Sequence, residues 1–99
     1  MLNITKTLEN GKALFALQGR LDMVTSPALE KELRESLEGV SELTLDFEGL
    51  EYISSAGLRV LLAAQKTMSA QGTMKLIHVN EIIMEIFEIT GFSDILTIE

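Results

Sequence analysis

The fold is decided by residues 42–68, which read ELTLDFEGLEYISSAGLRVLLAAQKTM. Up to Phe47 the apolar residues fall at every second position, the period of a half-buried strand, and Glu48-Gly49 is predicted to break that strand. From Leu58 onward the apolar residues recur at the spacing of one helix face, until Gly72 ends the pattern. This stretch therefore predicts a strand, a short turn and a helix.

The N-terminal part of the chain is predicted to add a hairpin and another helix. Asn10-Gly11 is a strong hairpin-turn signal between an alternating segment over residues 2–8 and an apolar segment over residues 13–17. A helix is predicted over residues 27–38, with Ser26 as its N-cap and a proline at its first position. The chain thus begins with two antiparallel strands that are followed by a helix.

The C-terminal part is predicted to continue the alternation of strands and helices. A fourth strand is predicted over residues 74–79, which makes His78 an ordinary strand residue. Asn80 is predicted to cap a third helix that stops at Gly91, and residues 95–98 are predicted to form a short fifth strand.

The helical segments between the later strands imply crossover connections, and crossovers join parallel strands. We therefore predict a single α/β domain over residues 1–99, with a mixed, mostly parallel sheet of about five strands and helices packed against it. A chain of 99 residues has room for one such core and for no second domain.

The composition excludes several classes of protein. A hydrophobic fraction of 46% is too high for a disordered chain, and no apolar run reaches the roughly 18 residues that span a bilayer. The net charge of -7 and the scattered basic residues argue against a nucleic-acid partner. The first residues lack a basic segment followed by an apolar stretch, so we expect a cytoplasmic protein with no membrane partner.

The sequence also lacks the usual motifs of enzymes and cofactor-binding proteins. It has no cysteine and one histidine, which excludes disulfides, thiol nucleophiles and histidine-rich metal sites. It contains neither a Gly-x-Ser-x-Gly elbow nor a glycine-rich nucleotide-binding motif. We therefore expect no enzymatic activity, no catalytic residue, no metal ion and no cofactor.

Ser54 and Ser55 open the second predicted helix and have two interpretations. A serine at this position caps the helix, because its oxygen accepts an otherwise unpaired backbone N–H. A start made of small residues is also approachable and carries a partial positive charge, so a hydroxyl there is a candidate phosphate acceptor. The residues alone leave both interpretations open.

Three segments give the chain a resemblance to a known family. Residues 45–61, which read LDFEGLEYISSAGLRVL, are similar to the signature of STAS domains, in particular the stand-alone bacterial anti-sigma factor antagonists. Gly19-Arg20-Leu21-Asp22 and residues 87–92 resemble two further landmarks of that family. The resemblance covers nearly the whole chain.

The resemblance implies a phosphorylation-controlled partner switch that acts on transcription. In that family the unphosphorylated antagonist binds a protein that is both anti-sigma factor and serine kinase, and so frees the sigma factor; a serine phosphatase reverses the modification. The match places the phosphate acceptor at Ser55, and less favourably at Ser54, where relatives often have Asp. ATP and Mg belong to the partner kinase. The implied partner-binding residues are Asp22, Ser54, Ser55, Ala56, Gly57, Leu58 and Arg59.

Two other functions remain open from the sequence. One is a STAS accessory subunit that is never phosphorylated and docks on a transporter or a lipid-trafficking ATPase. The other is a sensor that binds a small ligand near Asp22 and Ser55, where few polar groups converge. An available hydroxyl at Ser55 favours the partner switch over a purely docking role. We expect a monomer or a weak dimer.

Overall fold

The computed structural model describes residues 1–99 as one sheet with three α-helices. The elements in chain order are β1 (Leu2–Glu9), β2 (Lys12–Leu21), α1 (Ser26–Ser36), β3 (Glu42–Ile53), α2 (Ser55–Ser69), β4 (Thr73–Ile77) and α3 (Glu81–Thr90), followed by a 3-10 turn (Phe92–Asp94). The strand order is β1-β2-β3-β4, with β1 antiparallel to β2 and the other pairs parallel. The predicted mixed, mostly parallel sheet is confirmed.

The sheet has four strands, so the predicted fifth strand over residues 95–98 is wrong. The chain after Gly91 coils into the 3-10 turn, in which the N–H groups of Ile95 and Leu96 donate to the carbonyl of Phe92. Only the last residues are extended beside β4, where Leu76 and Ile98 form an isolated parallel bridge. The turn uses the residues that a full strand would need.

The predicted break at Glu48-Gly49 is also wrong, because β3 continues through it to Ile53. Two register shifts in the β2–β3 ladder absorb extra residues of β3, one opposite Ala16–Gln18 and one opposite Gly19–Arg20. A bulge lets a strand take in an extra residue without losing its partner. The Glu-Gly pair therefore marks a bulge inside a long strand.

All three helices cover the same face of the sheet. On β2 the buried residues are Ala13, Phe15 and Leu17, at alternate positions, and β3 up to Phe47 and β4 alternate in the same way. The buried residues of the three helices join this one core cluster, and the rings of Phe47 and Phe87 lie 6.3 Å apart. The opposite face of the sheet is left without a helix. No helix combines the length and the hydropathy that crossing a membrane requires.

The predicted ends of the helices are partly confirmed. Asn80 caps α3 by accepting the N–H of Ile83 at 2.9 Å, and Gly91 ends that helix in the left-handed conformation. The predicted N-cap at Ser26 is wrong, because Thr25 holds the cap position and Ser26 is the first residue of α1. Ser26 is buried, and its hydroxyl has no hydrogen-bond partner. The fourth strand is shorter than predicted at its C-terminal end, because β4 ends at Ile77 rather than at residue 79.

A close backbone approach explains the glycine between α2 and β4. The N–H of Thr73 donates to the carbonyl of Ser41 at 2.9 Å, and a Cβ on Gly72 would lie 1.9 Å from that carbonyl oxygen. The obstacle is backbone, so it does not move aside easily. Gly72 is therefore required for β4 to pair with β3.

We expect Gly72→Ala to lower the free energy of unfolding by about 2 kcal/mol, because the added methyl forces the backbone of Ser41 away. Gly39→Ala is the matched control. Gly39 has φ +81 but open space around it, so the same change there costs only about 1 kcal/mol of conformational strain. Urea unfolding of both variants measures the difference, and equal losses would show that crowding at Gly72 is unimportant.

Candidate functional site

The parallel pairing of β2 with β3 brings the predicted site residues to one edge of the sheet. Leu21 at the end of β2 is paired with Ile53 at the end of β3, and the N–H of Ser54 donates to the carbonyl of Leu21 at 2.9 Å. Asp22 and Ser54 each follow directly on these strand ends. The turn after β2 and the start of α2 are therefore neighbours.

The two serines at the start of α2 have different positions and partners. Ser54 is the N-cap, and its side-chain oxygen accepts the N–H of Gly57 at 3.5 Å, which is long for such a bond. Ser55 is the first helical residue, and its exposed hydroxyl forms no hydrogen bond within the protein. The capping role therefore belongs to Ser54 and leaves the hydroxyl of Ser55 free.

Two of the residues predicted to bind a partner lie in the core. A Cβ on Gly57 would lie 2.8 Å from side-chain carbons of both Leu21 and Ile53, so only glycine lets α2 approach the sheet here. The side chain of Leu58 is 6% exposed and belongs to the core cluster. Both residues position the start of α2 rather than offering surface. The exposed or half-buried members of the predicted set are Asp22, Ser54, Ser55, Ala56 and Arg59.

The turn that carries Asp22 is held by hydrogen bonds around its carboxylate. Oδ1 of Asp22 accepts the N–H groups of Val24 and Thr25, each at 3.0 Å, and the N–H of Asp22 donates to Oγ1 of Thr25 at 2.9 Å. The N–H of Thr25 lowers the pKa of Asp22 most, and Val24, the Thr25 hydroxyl and the charge of Arg20 act in the same direction against partial burial. Asp22 is therefore an ionised, structural carboxylate.

This ordered turn presents two apolar side chains to solvent. Met23 is 77% exposed and Val24 is 83% exposed, although the Asp22 hydrogen bonds hold their backbone in place. Neither residue is among the site residues predicted from the sequence. The signal was available, since two large apolar residues in a short surface connection are unusual.

Arg20, near the end of β2, lies close to both Asp22 and Tyr52. Its guanidinium lies 4.5 Å from the ring centre of Tyr52, its partner in the β2–β3 register, and its Nε lies 3.9 Å from Oδ2 of Asp22. A cation over an aromatic ring is stabilised by the ring quadrupole. Arg20 therefore links the edge of the sheet to the Asp22 turn.

A second polar cluster, which the sequence did not indicate, lies on the open face of the sheet. His78 follows β4 with φ +58, and its Nδ1 lies 2.9 Å from Oδ1 of Asp46, which also accepts the N–H of Glu48 in the bulge. The prediction that His78 lies within a strand is therefore wrong.

The Asp46–His78 pair shifts the pKa of both residues. The hydrogen bond to Asp46 raises the pKa of His78 against some desolvation, and the charges of Asp46 and Glu48 raise it further. Burial opposes ionisation of Asp46, but the Glu48 N–H and His78 lower its pKa overall.

The Asp22–Ser55 site does not have the form of a metal or small-molecule site, whereas Asp46 and Glu48 of the second cluster line a cavity of about 260 Å³. No group of three or more His, Asp and Glu side chains is arranged to hold a metal ion. The four main cavities, with volumes of about 250–430 Å³, are lined by residues other than Asp22 and Ser55. The largest of them lies between α1 and α2. The geometry at Asp22 and Ser55 is that of an exposed protein surface.

Comparison with known proteins shows the family to which the chain belongs. A family model described as the STAS domain matches residues 3–99. The chain belongs to the STAS domain family. BtrV of Bordetella bronchiseptica, which is named as an anti-sigma factor antagonist, is 36% identical over 95% of this chain and 83% of its own length. The anti-sigma-B factor antagonist of Bacillus subtilis is 30% identical over 83% of this chain and 76% of its own length.

Solved structures agree with this fold. An anti-sigma factor antagonist from Mycobacterium paratuberculosis superposes with a TM-score of 0.89 at 20% identity, covering 99% of this chain and 85% of that one. The Bacillus cell fate determinant SpoIIAA in its phosphorylated form has a TM-score of 0.76 at 16% identity, covering 98% and 91%. A sulfate transporter family protein from Wolinella succinogenes has a TM-score of 0.77 at 20% identity, covering 92% and 75%. At these identities the likeness shows the shared fold alone.

The different positions of the two serines generate a prediction about stability. We expect Ser54→Ala to lower the free energy of unfolding by about 1 kcal/mol, because the helix loses its side-chain cap. Ser55→Ala, the matched change at the adjacent position, is expected to stay within about 0.5 kcal/mol of the parent protein. Urea unfolding distinguishes them. A larger loss for Ser55→Ala would mean that the cap is assigned to the wrong serine.

The Asp46–His78 pair generates a prediction about pH. Because the pKa of His78 is raised on folding, its contribution to stability is complete below about pH 6.5 and is lost as the pH rises through the folded pKa. We expect the stability difference between the parent and His78→Asn to shrink between pH 6 and pH 9. Asparagine tolerates the left-handed backbone but does not titrate. Urea midpoints across this range measure the effect, and a constant difference would contradict it.

Proposed function

We propose that this protein is an anti-sigma factor antagonist whose binding is controlled by phosphorylation of Ser55. The unmodified protein binds an anti-sigma factor that is also a serine kinase, and this binding releases the sigma factor. The names of the relatives from Bordetella and Bacillus support the role. The observation that carries the choice of Ser55 is its exposed hydroxyl, which the cap at Ser54 leaves without a structural task.

The start of α2 tolerates the modification. The first turn of α2 has no acidic residue, whereas α3 has Glu81 in the corresponding turn, so the partial positive charge at the start of α2 is not compensated by a side chain. A phosphate adds about -1.5 to -2 charges at neutral pH, and a helix N-terminus stabilises such a charge. The modified protein is therefore expected to stay folded.

Phosphorylation of Ser55 is expected to weaken binding of the partner at this surface. Met23 and Val24 offer the apolar area that a partner buries, and their turn follows β2 at the same edge of the sheet at which Ser55 follows β3. A phosphate inside such an interface loses its water and adds to the negative charge of the ionised Asp22 nearby. An unfavourable contribution of about 3 kcal/mol weakens the complex roughly 100-fold.

In this switch, other proteins add the phosphate to Ser55 and remove it. The kinase supplies ATP and Mg, and a serine phosphatase restores the hydroxyl, so the chain itself needs no catalytic group. The site on this protein consists of Asp22, Ser54, Ser55, Ala56 and Arg59, with Gly57 and Leu58 as their support. A cytoplasmic monomer or weak dimer fits this role.

The alternative is an accessory subunit that docks on a transporter without being phosphorylated. The observation that favours it is the shared fold of the sulfate transporter protein from Wolinella. Such a subunit has no use for a free hydroxyl at Ser55. The experiment below therefore separates the two functions.

We expect phosphate to be incorporated at Ser55 when the protein is incubated with an anti-sigma factor kinase and Mg-ATP. Peptide mass analysis locates the phosphate, and Ser55→Ala is expected to abolish it while Ser54→Ala retains it. Ser55→Asp is expected to bind the kinase about 100-fold more weakly than the parent in calorimetry. Incorporation into Ser55→Ala at the parent rate, or equal affinity of Ser55→Asp, would refute the proposal.

A further inference from the structure

Helix α3 carries more apolar surface than the core uses. Ile83 and Phe87 are fully buried. Ile82, Ile86 and Ile89 follow one another at intervals of four and three residues and therefore form a second line, here called the α3 stripe. Ile82 is 64% exposed and Ile89 is 78% exposed, whereas Ile86 also packs against the edge of the core.

The charges around the α3 stripe have a single sign. Glu81, Glu85 and Glu88 lie on the same helix, and none of them takes part in an ion pair. Residues 76–99 contain five acidic residues and neither lysine nor arginine. The apolar stripe therefore has an acidic border that nothing in the protein neutralises.

This combination decides between possible occupants. A second copy would bring the same glutamates against these, and an anionic membrane would repel them. A partner with apolar side chains flanked by lysine or arginine removes the stripe from water and supplies the missing charge. We propose that the α3 stripe is a docking surface for a basic amphipathic helix of another protein.

The dimensions agree with that occupant. The stripe extends over two helical turns, or about 10 Å, and it presents anchors at i, i+4 and i+7, the spacing at which one amphipathic helix meets another. The α3 stripe shares no residue with the Asp22–Ser55 site. Helix α3 is tied to the sheet at a different place, where Nδ2 of Asn80 donates to the carbonyl of Leu50 at 3.0 Å. Docking at α3 is thus a second interaction, beyond the proposed switch.

The test uses a fluorescein-labelled 14-residue peptide with leucines along one helical face and lysines elsewhere. The 99-residue protein is titrated into it, and binding is followed by fluorescence anisotropy. We expect Ile82→Glu/Ile89→Glu to weaken binding at least about tenfold. Leu8→Glu/Leu14→Glu introduces the same charge at two exposed apolar residues of the β1–β2 hairpin, outside both proposed sites, and is expected to change the affinity less than about twofold. The salt-dependent loss caused by the added charge is common to both double variants.

Further measurements keep the proposal falsifiable. Circular dichroism and urea unfolding show whether the variants are folded, and Ile82→Gln/Ile89→Gln, which adds no charge, is expected to weaken binding as well. Equal loss in the α3 and the Leu8/Leu14 variants would overturn the proposal, because it would mean that net charge alone attracts the peptide. Binding to phosphatidylglycerol vesicles that the α3 variant abolishes, or a parent dimer that it dissociates, would also overturn it. Ser55 phosphorylation is expected to be unchanged in the α3 variant, so the two proposals fail separately.

Discussion

The structure depends on the parallel ladder between β2 and β3. The last pair of that ladder, Leu21 with Ile53, fixes where the Asp22 turn and helix α2 begin. Because β3 is longer than β2, the ladder reaches this register only through two bulges in β3. Without the bulges, Leu21 would not be paired with Ile53, and the N–H of Ser54 would not donate to the carbonyl of Leu21. The geometry of the site is thus set several residues upstream of it.

Much of this fold is predictable from the sequence, and the exceptions have physical causes. The alternation that ends at Phe47 and the caps at Asn80 and Gly91 are local signals, so they predict elements correctly. The bulge at Glu48-Gly49 is not local. It is stabilised by Asp46, whose carboxylate accepts the Glu48 N–H and pairs with His78, 32 positions away along the chain. A pattern read along one strand cannot contain that partner.

The candidate site was predicted as Asp22 together with the adjacent residues 54–59, and the structure divides that set by depth. The motif around Ser55 includes surface residues such as Arg59 together with Gly57 and Leu58, which hold α2 against the sheet. Both kinds of residue belong to one motif because the exposed hydroxyl is positioned by the buried contacts below it. The sequence could not separate them, since the depth of a residue at a helix start depends on which strand lies beneath it.

The order of pairing in the sheet has a consequence for synthesis of the chain. The hairpin of β1 and β2 is local, so it can form as soon as residue 21 has left the ribosome. The other edge of β2 stays unpaired until β3 follows, about 30 residues later, and β2 carries Phe15 and Leu17. An unpaired apolar edge is a template for association with other nascent chains. Translation through residues 22–53 is therefore the interval in which this protein is most vulnerable to aggregation.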